Sequence, residues 1–325
     1  SKDYLFIVCI FSFGVFVQVI CERLLQATGK SVLSMIVQIT GAVVNIILDP
    51  ILIFGYLGAP ELGVKGAAIA TVIGQMIAAM VGILLNIMLN HDIKLRIKNF
   101  IPHIPVLREM LVIGIPSVLM QAIGSVMTFL MNKLLYSFSI EAMNVFSIYF
   151  KLQSFVFMPM FGLTNGMIPI VAYNFGARNK KRVYATIKLS EITAISYMAI
   201  GCLAFQTIPT LLLGMFNSTE AMVKIGVVAL RTISLSFVFA GFGITASSVC
   251  QALGKSIYSL FVSIGRQLVV LIPAAYLLSL IGDVKYVWWA FPISETVSLL
   301  LAIIFLVKVL KQSFSDSDTV LKAEK

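Results

Sequence analysis

The sequence predicts an all-α fold, a polytopic transmembrane helical bundle, and three observations carry that prediction. First, 59% of the 325 residues are hydrophobic and only 12% charged, with a mean hydropathy of +1.01; soluble domains carry roughly 25% charged residues. Second, nine runs are mainly apolar over the ~20 residues that a bilayer crossing requires. Third, nothing between these runs is long enough for a soluble domain. With no water in the hydrocarbon core, the backbone of each run must satisfy itself as a helix.

The first run spans about 4–26. Tyr4 to Ile20 leads straight into ERLLQATGK with no small-residue cleavage site, so it reads as a mature span and not as a signal peptide. Glu22 and Arg23 lie near its end. Either both are interfacial, with long side chains reaching headgroups, or Glu22 turns inward as a second functional carboxylate.

The second run, 31–55, contains NIILDPILIFG (45–55). An ionised carboxylate is expensive in such surroundings and is therefore a functional candidate. Asn45 lies four residues before Asp49, on the same helical face. Pro50 cannot donate a backbone hydrogen bond, which favours a kink. The third run, 64–89, opens with GAAIAT, where Thr71 sits among small residues that let helices approach closely. Carboxylate, amide oxygen and hydroxyl form an all-oxygen set of the kind hard cations prefer. Burial favours a protonated carboxyl and a bound cation favours an ionised one, so proton and Na+ would compete there. The other reading of Asp49 is an inert residue that caps or kinks its helix.

A charged connector, 91–106, follows, and six further runs cover about 107–136, 143–173, 184–213, 223–250, 256–281 and 286–310, with a tail from 313 to 325. Their polar residues divide into two groups. Gln121, Lys151, Gln153, Asn165 and Glu295 are candidates for contact with a ligand. Lys151 and Glu295 are equally well read as a structural ion pair. Arg231 and Arg266 read as structural ties, and Glu191 as a partner for the basic stretch GARNKKRVYATIK (176–188). The segment 157–182 carries Pro159, Pro169, three glycines, Asn165 and Asn174, and is expected to be a broken helix of the kind tolerated beside a cavity.

The net charge of +10 is topological. By position, 16 of the 24 Lys and Arg fall on one side of the nine runs and five on the other, with three inside. The rich side is cytoplasmic, which puts the C-terminus inside and leaves no case for nucleic acid. His91 and His103 both lie in the connector, and Cys9, Cys21, Cys202 and Cys250 are scattered without CxxC spacing, so neither a zinc site nor a disulfide framework is indicated.

QATGKSVLSMIVQI (26–39) matches QALGKSIYSLFVSI (251–264) at a constant offset of 225 residues. Both copies fall at cytoplasmic turns, so the repeat is parallel, with its axis along the membrane normal. GKS also resembles part of a phosphate-binding loop. Leu24 and Val249, however, stand where that loop needs its first glycine, and no strand precedes either copy. Six runs follow His103 and three precede it. A two-lobe bundle of six plus six would need three more before Ser1, so the chain is expected to lack its front quarter.

LQATGKS, NIILDPILIFG, GVKGAAIAT and FGLTNGMIPIVAYNFGARN together resemble the multidrug and toxic compound extrusion (MATE) family, bacterial type. The resemblance implies nine of the twelve helices of a two-lobe transporter. The first 90 residues would be the second half of the N-terminal lobe, 91–106 the connector, and 107–312 the C-terminal lobe. It implies an ion-coupled antiporter, not an enzyme, that exports cationic or amphipathic small molecules across the cytoplasmic membrane. It needs no cofactor beyond Na+ or H+ and acts as a monomer. By the same resemblance Asn45, Asp49 and Thr71 match the family's N-lobe cation or proton site, while the partner Asp and Tyr would lie before Ser1. Glu22 stands close to an Asn of many members. One branch uses acidic residues where this chain has Gly124 and Ala240, with Gln121 nearby, which moves the expected ion site to the N-lobe. Three readings stand beside this one. A lipid-linked precursor flippase would show a basic cavity for phosphates, and a membrane enzyme would want paired acidic or His clusters. The third is a fragment that does not transport.

Overall fold

The computed structural model describes residues 2–93 and 103–323, with side chains described as far as Phe314. Lys94, Arg96 and Lys98 of the expected connector lie outside the described residues. All described regular structure is helical, in two compact units, Ser1–Pro102 and His103–Lys325.

The first unit contains α1 (Lys2–Ile10), α2 (Phe13–Ala27), α3 (Ser31–Phe54) and α4 (Val64–Leu89). The expected first span is a bent pair, α1 and α2 meeting at 51° across Phe11 and Ser12. The Ser12 hydroxyl donates to the Cys9 carbonyl at 2.8 Å and so satisfies a backbone group near the break. α4 carries a small residue every fourth position: Gly66, Ala70, Gly74, Ala78 and Gly82, all buried. This stripe lets backbones touch. Gly66 abuts the Leu52 carbonyl with no room for a Cβ, and a Cβ on Gly74 would come within 2.9 Å of the Gly41 carbonyl.

The second unit contains α5 (Ile104–Tyr136), α6 (Ile140–Gly176), α7 (Lys180–Thr207), α8 (Pro209–Gly214), α9 (Glu220–Ser234), α10 (Phe237–Ala252), α11 (Ser256–Ile264), α12 (Ile272–Ser279), α13 (Val284–Val287) and α14 (Ala290–Ala323). A π-helical turn, Gly265–Leu271, joins α11 to α12. α9 and α10 form a second bent pair, at 48°. The break expected over 157–182 is absent. α6 runs unbroken through Pro159 and Pro169, because an interior proline removes one ladder bond and a buried helix in a bundle can absorb that loss. Thr164 and Asn174 also bond to the Phe161 and Ile170 carbonyls of the same helix. The last helix continues past its expected end near 310, to Ala323.

Among the described residues, seven helices are long and apolar enough to cross a membrane, and each bent pair adds one more if it counts as a span. Many large side chains on their outer surfaces are apolar and exposed, Phe6, Phe16, Phe129, Phe155 and Leu203 among them. A water-facing monomer rarely shows so much apolar surface, and a lipid-facing one requires it.

The sequence repeat is one turn used twice. Gly29 and Gly254 adopt φ of +76° and +73°, a region glycine enters without strain. In each copy the lysine N–H closes the preceding helix, Lys30 onto Leu25 and Lys255 onto Cys250, both at 2.8 Å. The first copy does more. Lys30 Nζ donates to the Leu89 carbonyl at the end of α4 (2.7 Å) and pairs with Asp92 (3.1 Å).

Candidate functional site

The close approach of α3 and α4 brings Asn45, Asp49 and Thr71 together. Asn45 and Asp49 are one turn apart on α3, and all three side chains are half-buried. The Asn45 amide bridges the other two groups. Turned so that both its ends are satisfied, its nitrogen donates to Asp49 Oδ2 at 3.3 Å and its oxygen accepts from the Thr71 N–H at 3.3 Å. The Thr71 hydroxyl donates to the Ala67 carbonyl at 2.9 Å, which leaves its lone pairs facing the site. The cluster therefore offers a carboxylate and a hydroxyl as acceptors, held by an amide. α3 passes through Pro50 as a continuous helix.

Glu22 is buried, 7% exposed, so of its two expected placements the inward one holds. Its two oxygens each accept from an amide, Gln18 Nε2 and Gln38 Nε2, both at 2.9 Å. Arg23, beside it, is exposed and bonds Gln26. Along α3, Gln38, Asn45 and Asp49 share one face at helical spacing. Gln75, one turn beyond Thr71 on α4, has a buried Oε1 with no hydrogen-bond partner. The polar residues of this unit thus run as a track from Asp49 towards Glu22. Gln18, Gln38 and Gln75 were not singled out from the sequence. The signal for Gln75 was its place four residues after Thr71, and for Gln18 its place four residues before Glu22; nothing local marked Gln38 as a partner of Glu22.

The period-four stripe of α4 continues in polar form. Asn86 donates to the Cys21 carbonyl (3.1 Å) and the Gly82 carbonyl (2.8 Å), and Asn90 donates to Asn86 Oδ1 at 3.1 Å. These bonds fix the α2 segment that carries Glu22.

In the second unit the expected candidates are dispersed. Gln121 is exposed on α5. Lys151, Gln153 and Asn165 share the single helix α6, where 14 residues separate the first from the last, roughly 21 Å along the axis. Lys151 is exposed and lies over the Phe216 ring at 5.7 Å. It does not pair with Glu295. Glu295 instead accepts from Arg266 Nη1 at 2.9 Å, because the π-helical turn aims Arg266 at α14. Arg231 is a tie as expected, its Nε donating to the Gln206 carbonyl at 3.2 Å. Glu191 is not a partner of the basic stretch, since both its oxygens are buried without a donor. At the two positions where a family branch has acidic residues, Gly124 faces Gln267 and Ala240 is buried in the apolar core.

Comparison with known proteins gives a consistent result. A family model described as MatE matches residues 116–277. The chain is 28% identical over 324 residues to the multidrug export protein MepA of Staphylococcus haemolyticus, covering 100% of this chain and 70% of that one. It is 30% identical over 286 residues to the MepA of Staphylococcus aureus strain RF122, covering 88% and 62%. Among solved structures it is similar to a mutant of the Vibrio cholerae MATE transporter VcmN, with a TM-score of 0.87 over 96% of this chain and 70% of that one at 20% identity, a likeness of fold. The chain spans 62% of the length of the S. aureus relative.

Proposed function

The chain belongs to the MatE family, and from that premise we propose that it is a secondary transporter exporting drug-like or cationic small molecules across a bacterial cytoplasmic membrane in exchange for Na+ or H+. The observation that carries the reading is the Asn45–Asp49–Thr71 cluster, a carboxylate that accepts from the Asn45 amide, whose oxygen in turn accepts from the Thr71 N–H, inside an apolar helix pair. Intramembrane carboxylates are retained where ions or protons pass. Multidrug export, named for the MepA relatives, supports the substrate class. The surplus of Lys and Arg in alternate loops supports a cytoplasmic C-terminus.

In this reading, a cation or proton arriving at Asp49 changes what the carboxylate asks of Asn45 and Thr71, and through them the packing of α3 on α4. Substrate affinity then differs between the loaded and empty forms, and the coupling is reciprocal: substrate must alter ion affinity by the same factor. Asp49→Asn keeps the size and the hydrogen bonds of the residue but removes its charge. It is expected to insert normally and to lose gradient-driven export. Dye efflux from vesicles with imposed Na+ or pH gradients tests this and separates the two ions. Full-rate export by the variant would refute it.

A further inference from the structure

A carboxyl group that the proposed transport site does not use lies in the second unit. Glu191 sits on α7 among buried neighbours, with Ile187 and Ser190 before it and Ala194 after it, and is itself 9% exposed. Both its oxygens are buried and neither has a hydrogen-bond partner. α7 packs against α6 and α10 here, and Gly241 of α10 lies against the Ala194 carbonyl. Counted from that contact, Thr245 and Ser248 fall near the level of Glu191, about one turn away. Their hydroxyls are spent on their own helix, on the Gly241 carbonyl (3.0 Å) and the Ile244 carbonyl (2.9 Å). Thr164 of α6 likewise bonds the Phe161 carbonyl.

No described charge compensates the group. On α7 itself Lys180 lies over the Phe314 ring at 5.4 Å, eleven residues from Glu191, and Lys181, Arg182 and Lys188 are exposed. α10 bears one titratable side chain, the buried Cys250, and α8 bears none. α6 bears Glu141, Tyr149, Lys151 and Tyr173, of which Tyr173, the nearest in register, is 76% exposed. α9 bears Glu220, Lys224 and Arg231 beside the far end of α7, where Arg231 is bonded to Gln206. α14 touches α7 through Phe314 on Tyr184; its Lys308 and Lys311 are exposed and its Glu295 is held by Arg266. An ionised carboxylate with neither donor nor counter-charge is prohibitively costly in an apolar seam, whereas the acid is not.

We infer that Glu191 is a proton-binding site: it carries its proton while α6, α7 and α10 are packed, and releases it to water only when that seam opens. Glu191 belongs to the second unit and the cluster around Asp49 to the first, and the inference uses no contact of that cluster, so its fate does not depend on the transport reading. The seam has its own reporter in Cys250, which is buried in the same apolar cluster as Val183 and Ile187.

The test uses the full chain in nanodiscs, with Cys9, Cys21 and Cys202 replaced so that Cys250 is the one thiol. Infrared difference spectra between this protein and its Glu191→Gln variant at neutral pH should show one protonated carboxylic acid. The ratio of maleimide labelling rates at Cys250 between the two proteins, in which thiolate ionisation cancels, should rise with pH by up to about tenfold per unit. Carboxylate bands in the difference spectrum, or a ratio flat with pH, would overturn the inference. Glu191→Met guards against a folding artefact, since a neutral residue here should be replaceable by an apolar one of similar size. Failure of both variants to insert would mean that the carboxylate is ionised and paired, and would overturn the inference equally.

Discussion

Gly74 offers the sharpest test of how the Asp49 cluster is assembled. A Cβ at this position would lie 2.9 Å from the Gly41 carbonyl oxygen and 3.3 Å from Asn45 Cβ. Carbon and a carbonyl oxygen rest no closer than roughly 3.3 Å, so Gly74→Ala must push α3 from α4 by about 0.4 Å. Thr71 is three residues away on the same helix, and its N–H meets the Asn45 oxygen at 3.3 Å. The same displacement stretches that bond to about 3.7 Å, past the hydrogen-bonding range. Overpacking costs about 1–3 kcal/mol, offset by up to about 1 kcal/mol of helix propensity gained from Ala. The expected result is a modest loss of thermal stability and the disappearance of any Na+- or acid-linked rise in Tm, since a ligand stabilises only the fold that binds it. Thermal unfolding in detergent, with and without Na+ and across pH, measures both quantities. Gly162→Ala is the control, because a Cβ there meets nothing within 4 Å, and its stability should hold or rise. Wild-type stability together with an intact ion-linked Tm shift in Gly74→Ala would refute the argument that backbone contact builds the site.

Two further outcomes follow from the polar contacts. Arg266→Leu strands Glu295, whose Oε2 already lacks a partner. Removing one member of a buried pair costs about 3–5 kcal/mol, reduced here because the Arg266 side chain is 29% exposed against 13% for Glu295. Thermal unfolding should show a clear loss that adding Glu295→Leu largely restores, and additive losses would exclude the pairing. Glu22→Ala removes the acceptor of both Gln18 and Gln38 and should destabilise by about 1–3 kcal/mol. Glu22→Gln, which still accepts one of those bonds, should cost less. Equal stability of the two variants would mean that the amides do not bond Glu22.

The apolar runs and the Lys and Arg bias were enough to reveal an all-helical membrane chain, because a span is written locally as length and hydropathy. Asp49, Asn45 and Thr71 were visible for the same reason. A carboxylate in an apolar run stands out, an i, i+4 neighbour shares its face, and small residues mark where helices touch. The repeated turn was likewise legible, since glycine at positive φ is a local backbone requirement.

Other features depend on partners distant in the chain. By depth alone Glu295 matches Lys151, but the π-helical turn at 265–271 rotates Arg266 into its reach, and no local residue announces that turn. Pro159 and Pro169 suggested a break that the neighbouring helices absorb, whereas the real bends fall at Ser12 and Ser236, where no proline stands. Glu191, four residues from Ile187 and three from Lys188, reads from the chain as the partner of a basic stretch. Only packing against α6 and α10 shows that its oxygens face no base. Hydropathy and helical period act over one or two turns and are written in the chain itself. Which buried charge meets a counter-charge, and which is left holding its proton, is set by contacts between helices far apart in sequence, so the tertiary structure alone decided it.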